Sequence, residues 1–193
     1  MTRLHRQNFK GATVDVQPLR NKEDILKLKQ ALRRWSSERD AFMFSIGVNT
    51  GLRVSDILQL RVEDVRGKSH VIICEKKTGK PKRFMLTKSL QEEVATYTNF
   101  MNDEDYLFPS RKGDKPISTT QAYRSLTKAA EMADIESVGT HTMRKTFGYH
   151  YYKKTKDVAK LQYIFNHSAP SVTLRYIGVT QDEIDETLED FYL

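Results

Sequence analysis

Residues 166–176 read NHSAPSVTLRY and place a proline between a histidine and a tyrosine. His167 and Tyr176 are nine positions apart, which would put them on opposite faces of one uninterrupted α-helix. Pro170 interrupts such a helix, because proline has no N–H to donate and its ring clashes with the preceding turn. Two short helical segments joined at this break can bring the two side chains together. The stretch therefore predicts a broken helix whose two parts meet around a histidine and a tyrosine.

Upstream of this stretch, apolar residues recur at helical spacing, and two short strands interrupt them. Asn21 is predicted to cap the first helix, and Ser118 with Gln121 matches a capping box before a later one. His70–Glu75 and Lys82–Thr87 are predicted to form a hairpin around a glycine-containing turn. Helices are expected at 21–35, 38–49, 55–60, 89–101, 118–133, 142–154 and 156–166, and in an acidic segment from 180. The predicted fold class is mainly α with a small antiparallel β-hairpin sheet (α+β).

The composition is that of one folded domain with tails. The chain has 193 residues, of which 38% are hydrophobic and 30% charged, so it can bury a core. It has neither an apolar run of membrane-spanning length nor a signal-peptide pattern, and we expect a soluble cytoplasmic protein. The single cysteine, Cys74, excludes an internal disulfide. Because it lies in an apolar run, it is expected to be a buried structural thiol.

The net charge favours a polyanionic partner. The formal charge is +7, and the segment from Thr180 onward has six acidic and no basic residues, so the rest of the chain is more basic still. A body of this kind is attracted to nucleic acid, although many proteins are basic without binding it. The histidines and the cysteine show no paired ligand spacing, and no glycine-rich phosphate loop is present. We therefore expect no metal and no cofactor.

Three further segments carry basic residues where a phosphate could bind. Arg53 lies immediately before a predicted helix, where unpaired N–H groups and the helix dipole favour an anion. Lys77 lies in the predicted hairpin turn. His141 and Arg144 are three positions apart at a helix start, with Thr142 as the predicted N-cap, so their side chains share one side. Each segment alone is commonplace in a basic protein.

The order of these segments along the chain is more specific than any one of them. TGLRVSD at 50–56, HTMRKTF at 141–147 and NHSAPSVTLRY at 166–176 resemble the boxes of the tyrosine recombinase (phage integrase) family. The resemblance extends from about Asn21 to Gly178. Phe165 and Asn166 depart from the Leu-Gly that the family often has there. This departure is expected to alter helix packing without removing a catalytic group.

The resemblance implies the fold of a tyrosine recombinase catalytic domain, a chemistry and a set of residues. The implied catalytic residues are Arg53, Lys77, His141, Arg144, His167 and Tyr176, with Asp56 in support. Tyr176 is the implied nucleophile, and its attack on DNA gives a 3′-phosphotyrosine without ATP or metal. The two arginines suit the charged phosphate oxygens, and Lys77 is the candidate acid for the departing 5′ oxygen. The sequence does not divide the roles of base and phosphate orientation between His141 and His167.

The resemblance also implies an organisation. Residues 1–20 are expected to form a basic N-terminal arm, 21–178 the catalytic domain, and 179–193 an acidic C-terminal helix or tail. Fewer than fifty residues precede Thr50, whereas most family members have a separate helical domain that completes a clamp around DNA. The chain therefore follows the short plan of the fimbrial phase-switch invertases or represents the catalytic part of a longer integrase.

Double-stranded DNA is the expected partner. Thr120, Gln121 and Arg124 lie in the first turns of the helix that begins after Ser118, where they are candidates for the major groove or for a solvated polar face. Recombination joins two duplexes, so assembly of a homo-oligomer, from dimer to tetramer, is implied on DNA. A DNA-bending protein is a candidate accessory partner.

Other functions compete with recombination. A type IB topoisomerase has a similar nucleophile and similar cationic residues, but it relaxes DNA as a monomer and does not exchange strands. A non-catalytic DNA-binding regulator with the recombinase fold would usually lack a catalytic residue, whereas all six positions are occupied here. A basic helical adaptor for proteins accounts for the charge but not for the ordered motifs.

Overall fold

The computed structural model of the protein describes residues 16–74, 79, 81–179 and 188. The elements are α1 Lys22–Trp35, α2 Glu38–Thr50, α3 Val54–Ile57, a short 3₁₀ turn Val62–Asp64, β1 His70–Cys74, β2 Pro81–Met85, α4 Lys88–Thr98, α5 Thr119–Met132, α6 Thr142–Thr155, α7 Val158–Phe165 and α8 Pro170–Ile177. β1 and β2 pair antiparallel, with Val71 opposite Phe84. The predicted mainly helical fold with one antiparallel hairpin is confirmed. Within the described ranges, no helix is long and apolar enough to cross a membrane.

Helix α2 lies at the centre of the core, with most of its residues buried. It packs against α1, α4 and α6. The contact with α6 is close, since a Cβ added at Gly47 would lie 2.6 Å from the Met143 sulfur. One helical turn later, α2 ends at Gly51, which adopts a left-handed conformation at φ 68°. This crossing places the end of α2 beside the first turn of α6.

Several helix ends follow the sequence pattern. The side chains of Asn21, Ser37 and Ser118 accept backbone N–H groups at the starts of α1, α2 and α5. Pro170 occupies the first position of α8, where a missing N–H costs nothing, and Gly178 ends that helix in a left-handed conformation. The predicted break between His167 and Tyr176 is therefore present, and two separate helices flank it.

Two helix boundaries differ from the prediction. Thr142 was expected to cap α6, but His141 occupies that position, and the Thr142 hydroxyl accepts the Gly139 N–H at 3.0 Å instead. The helix expected to reach Leu60 ends at Ile57. After it the N–H groups of Gln59 and Leu60 donate three residues back, to Asp56 and Ile57, and the Leu60 carbonyl accepts the Leu107 N–H at 2.8 Å.

Cys74 is exposed, so the prediction of a buried thiol is wrong. Successive side chains of a strand point to opposite faces. Val71 is buried and Ile73 is partly buried, which leaves Ile72 and Cys74 on the outer face of the hairpin. The apolar run of four residues, Val71–Cys74, had suggested burial on both faces, but the two-stranded sheet is covered on only one face.

Residues 16–20, which we call the N-terminal strap, run across α6 to the end of α8. The Lys145 ammonium donates to the Val16 carbonyl at 2.6 Å, and the Leu19 N–H donates to the Thr146 hydroxyl at 2.9 Å. Arg20 donates to the Gly178 carbonyl at 2.6 Å. The strap therefore holds together two helices that are separate in sequence. Residues 1–15, the predicted turn with Lys77, and the predicted helix from Thr180 lie outside the described residues, apart from Gly79 and Leu188.

Candidate active site

Four places in the fold supply the site. Arg53 is the N-cap residue of α3 and follows the left-handed turn at the end of α2. His141 and Arg144 lie at the start of α6. His167 follows α7, and Tyr176 lies in the last turn of α8. Arg53, His141 and Arg144 line one pocket, and Tyr176 joins them through its contacts with His141 and His167.

Tyr176 and His141 are in direct contact. The Tyr176 hydroxyl lies 3.1 Å from His141 Nδ1, which is hydrogen-bonding distance. The Tyr176 ring packs edge-on against His167, with 5.1 Å between the ring centroids, and against Phe165 at 5.6 Å. These contacts fix the phenol ring from two sides. The hydroxyl is therefore directed at a histidine that can accept its proton.

Arg144 is held in place before any substrate binds. Its side chain is buried, and it donates to the carbonyl oxygens of Gly51 and Phe165, the latter at 2.9 Å. Its guanidinium also lies over the Phe165 ring, 4.1 Å from the ring centroid. A guanidinium has five N–H groups, so these two carbonyls do not exhaust its donors. Arg144 is thus oriented by the ends of α2 and α7.

A cavity of about 310 Å³ opens between α3, α5 and α6. It is lined by Arg53, Val54, Ser55, Thr119, Thr140, His141 and Arg144. Two guanidiniums and an imidazole therefore face the same space. Arginine presents paired donors that match the oxygens of a phosphate, so the cavity suits an anionic phosphodiester.

The protonation states follow from burial and from the arginines. Burial raises the pKa of the Tyr176 phenol, and the charges of Arg144 and Arg53 oppose that rise. Partial burial lowers the pKa of His141, and the charges of Lys145, Arg144 and Arg53 lower it further. At neutral pH the phenol therefore keeps its proton and His141 is uncharged. An uncharged imidazole can act as the base for a phenol that does not ionise unaided.

His167 and Asp56 lie beside the site with partners of their own. His167 Nδ1 is 3.1 Å from the Thr173 hydroxyl. Burial lowers the pKa of His167, and Arg144, Arg53 and Lys82 add to this effect. Asp56 is buried at the start of α3, with one carboxylate oxygen 3.4 Å from the Ser55 hydroxyl. Lys77 lies outside the described residues.

The predicted DNA-reading residues are exposed on the first turns of α5. Gln121 and Arg124 line a second cavity together with Arg39, Arg111 and Lys112. The side-chain oxygen of Gln121 accepts the Ser118 N–H at 2.9 Å in the capping box, and this contact does not use its amide N–H groups. Thr120 is also exposed. The basic rim of this cavity adds three cations to the predicted set.

Two residues near the reacting groups were not singled out from the sequence. The Lys145 ammonium lies 5.5 Å from the centroid of the Tyr176 ring while it donates to the Val16 carbonyl. Thr173 contacts His167. Lys145 directly follows Arg144, and Thr173 is three residues before Tyr176. Their positions within the two motifs were the sequence feature that could have identified them.

Known proteins resemble this chain over most of its length. The model of the phage integrase family matches residues 20–183. The probable integrase/recombinase YoeC of Bacillus subtilis (strain 168) is 50% identical over 167 residues, which cover 86% of this chain and 92% of YoeC. The family is therefore shown by sequence as well as by the arrangement of the site.

Solved structures share the fold. The crystal structure of XerA recombinase matches with a TM-score of 0.74 and 22% identity, covering 93% of this chain and 68% of that one. A lambda integrase dimer bound to a COC′ core site matches with a TM-score of 0.68 and 19% identity, covering 89% of this chain and 51% of that one. The sequence match places the chain among the tyrosine recombinases, enzymes that break and rejoin DNA. This chain belongs to the phage integrase family.

Proposed function

We propose that this chain is a site-specific recombinase that cleaves and rejoins double-stranded DNA through Tyr176. The observation that carries the proposal is the 3.1 Å contact between the Tyr176 hydroxyl and His141 Nδ1, beside the buried guanidinium of Arg144. The proposed base His141 and the anion-binding Arg144 line one cavity, and the proposed nucleophile contacts His141. Family membership and the DNA-bound structural neighbours support the same conclusion.

In the proposed cleavage step, the Tyr176 oxygen attacks the phosphorus and transfers its proton to His141. The bond between phosphorus and the 5′ oxygen breaks, and the products are a 3′-phosphotyrosine and a free 5′ hydroxyl. Negative charge that develops on the non-bridging oxygens is met by Arg53 and Arg144, with His167 orienting the phosphate. Rejoining is the reverse attack by a 5′ hydroxyl. The phosphoester bond is retained in the protein linkage, so the cycle balances without ATP.

A cleavage assay tests this function directly. We expect wild-type protein, incubated with its DNA site and quenched with detergent, to give a protein–DNA adduct with a free 5′ hydroxyl. Site-independent relaxation of supercoiled DNA would instead support a topoisomerase. Tight DNA binding with no adduct on any substrate would support a non-catalytic regulator. Exchange of strands between two sites distinguishes recombination from both.

The 5′ oxygen needs a proton when it departs, and we propose Lys77 as its donor. We expect Lys77→Ala to slow cleavage by roughly 10²–10⁴, the usual range for acid–base catalysis. A substrate with sulfur at the bridging 5′ position has a leaving group that hardly needs protonation. The mutant should therefore cleave that substrate at close to the wild-type rate.

Lys76 and Lys80 flank Lys77 and serve as matched controls, because each removes one charge from the same segment. Neither should show a comparable defect that sulfur relieves. Rescue of Lys76→Ala or Lys80→Ala, but not of Lys77→Ala, would show that the rescued lysine, and not Lys77, is the acid. Rescue of none of the three would exclude an acid from this segment.

We propose that the start of α5 enters the major groove and that Arg124 reads a base there. Arg124 is exposed, and Arg39, Arg111 and Lys112 around the same cavity suit the flanking phosphates. Arg124→Ala should lose about 1–3 kcal/mol of discrimination between the specific site and random DNA, measured as the ratio of the two dissociation constants. Lys128→Ala, one turn further along α5, removes the same charge and should weaken both affinities equally. An equal loss for Arg124→Ala would mean that Arg124 contacts only phosphate.

Strand exchange between two duplexes requires more than one active site, and we propose that the chain assembles as a dimer to tetramer on DNA. One structural neighbour is a dimer on its DNA site. The mass of the complex on single and on paired sites, measured in solution, tests this assembly. A DNA-bending protein remains a candidate accessory partner, and the comparison of exchange with and without a cell extract from the host tests it.

A further inference from the structure

The imidazole of His167 is held through its Nδ1 atom. Its Nδ1 lies 3.1 Å from the hydroxyl oxygen of Thr173, whose side chain is completely buried in α8. The backbone of His167 is fixed as well, because its N–H donates to the Gln162 carbonyl and its carbonyl accepts from the Gln162 amide, both at 3.1 Å. With the backbone fixed, His167 can still rotate about its side-chain torsions, and the contact with Thr173 restrains this rotation.

The Thr173 hydroxyl has one proton and two possible acceptors. One is the Ala169 carbonyl at 3.4 Å, one helical turn earlier, and the other is His167 Nδ1. If the proton goes to Ala169, the hydroxyl oxygen accepts an N–H from Nδ1. A protonated Nδ1 is common to the charged imidazole and to one of its two neutral tautomers. In that arrangement the contact with Thr173 is the same in both charge states, and only Nε2 gains or loses a proton.

We propose that Thr173 is a positioning residue that keeps the proton of His167 on Nδ1 and presents Nε2 to the DNA phosphate. This inference rests on the proposed role of His167 at the phosphate. With Nδ1 committed to Thr173, Nε2 donates to a phosphate oxygen when His167 is charged and accepts a proton when it is neutral. A buried hydroxyl thereby selects which nitrogen takes part in the reaction, as partners of ring nitrogens do elsewhere.

Thr173→Val and Thr173→Ser form a matched pair for the test. Valine has nearly the shape of threonine but lacks the hydroxyl, whereas serine keeps the hydroxyl and loses a methyl group. We expect Thr173→Val to slow cleavage about 10- to 100-fold, the usual effect of removing such a partner, and Thr173→Ser to restore most of the rate. In a His167→Ala background, Thr173→Val should cause no further loss.

Nitrogen-15 NMR of the histidine-labelled full chain measures the tautomer without any reaction. We expect neutral His167 to carry its proton on Nδ1 in the wild type and in Thr173→Ser, and to lose this preference in Thr173→Val. A wild-type signal with the proton on Nε2 would overturn the proposal, and this measurement needs no variant to fold. A loss of rate in Thr173→Val that persists unchanged in the His167→Ala background would also overturn it. If no adduct forms even in the wild type, the proposed function fails, but the tautomer result still decides the role of Thr173.

Discussion

Replacement of Tyr176 by phenylalanine is expected to abolish covalent attachment to DNA while DNA binding stays close to wild type. The substitution removes only the hydroxyl that we propose as the nucleophile. The ring keeps its edge-on packing against Phe165 and His167, at centroid distances of 5.6 and 5.1 Å, so α8 should remain in place. Adduct formation on a denaturing gel measures the first effect, and a binding titration at fixed salt measures the second.

Other tyrosines of the last two helices before α8 provide the controls. Tyr163 is exposed on α7, and Tyr151 and Tyr152 are partly buried on α6. Phenylalanine at each of these positions should leave the yield of adduct within a few-fold of wild type. Survival of the adduct in Tyr176→Phe, together with its loss in one of these variants, would transfer the nucleophile to that residue.

Replacement of Arg144 by alanine should slow cleavage by roughly 10²–10³ on DNA-saturated protein, because one oriented donor to the developing charge is lost. The same change should lower the free energy of unfolding. The Gly51 and Phe165 carbonyls would lose a buried donor, and each such loss costs about 1–3 kcal/mol. Single-turnover cleavage and denaturant unfolding separate the two effects. Arg144→Lys keeps the charge without the planar fork and should recover little of the rate.

Arg175 provides a charge-matched control. It adjoins Tyr176 in sequence but is exposed, so Arg175→Ala removes one positive charge near the site without removing a buried donor. We expect less than a tenfold change in cleavage rate and little change in unfolding, as for most exposed charges. Equal rate losses in Arg144→Ala and Arg175→Ala would mean that net charge, and not the placement of the Arg144 donors, accounts for the effect.

The local features of the fold were predictable from the sequence because their causes lie within a few residues. Pro170 breaks the helix, Gly178 ends the next one, and Ser118 caps α5 through contacts that the neighbouring residues make by themselves. The hairpin followed from two short strand segments on either side of a glycine-containing turn. The order of the motifs then predicted which distant side chains would meet at Tyr176.

The errors and omissions depend on long-range packing. Cys74 is exposed because no further layer covers the outer face of the hairpin among the described residues, and a single sequence does not show how many layers a sheet has. The chain that follows the helix end at Ile57 is fixed by a distant partner, because the Leu60 carbonyl accepts the Leu107 N–H. Lys145 is held by Val16, so its approach to Tyr176 depends on a segment more than one hundred residues away.

The N-terminal strap has a consequence for the order of folding. Arg20 and its partner at Gly178 are separated by 158 positions, and Leu19 and Thr146 by 127. Contacts this distant form late, because the entropy of closing the intervening chain must be overcome first. The strap has all of its partners only when α6 and α8 are both in place, and α8 carries the proposed nucleophile. The proposed nucleophile, Tyr176, should therefore reach its final position in the same late step that orders the strap. The strap and α8 should also detach together when the native state fluctuates.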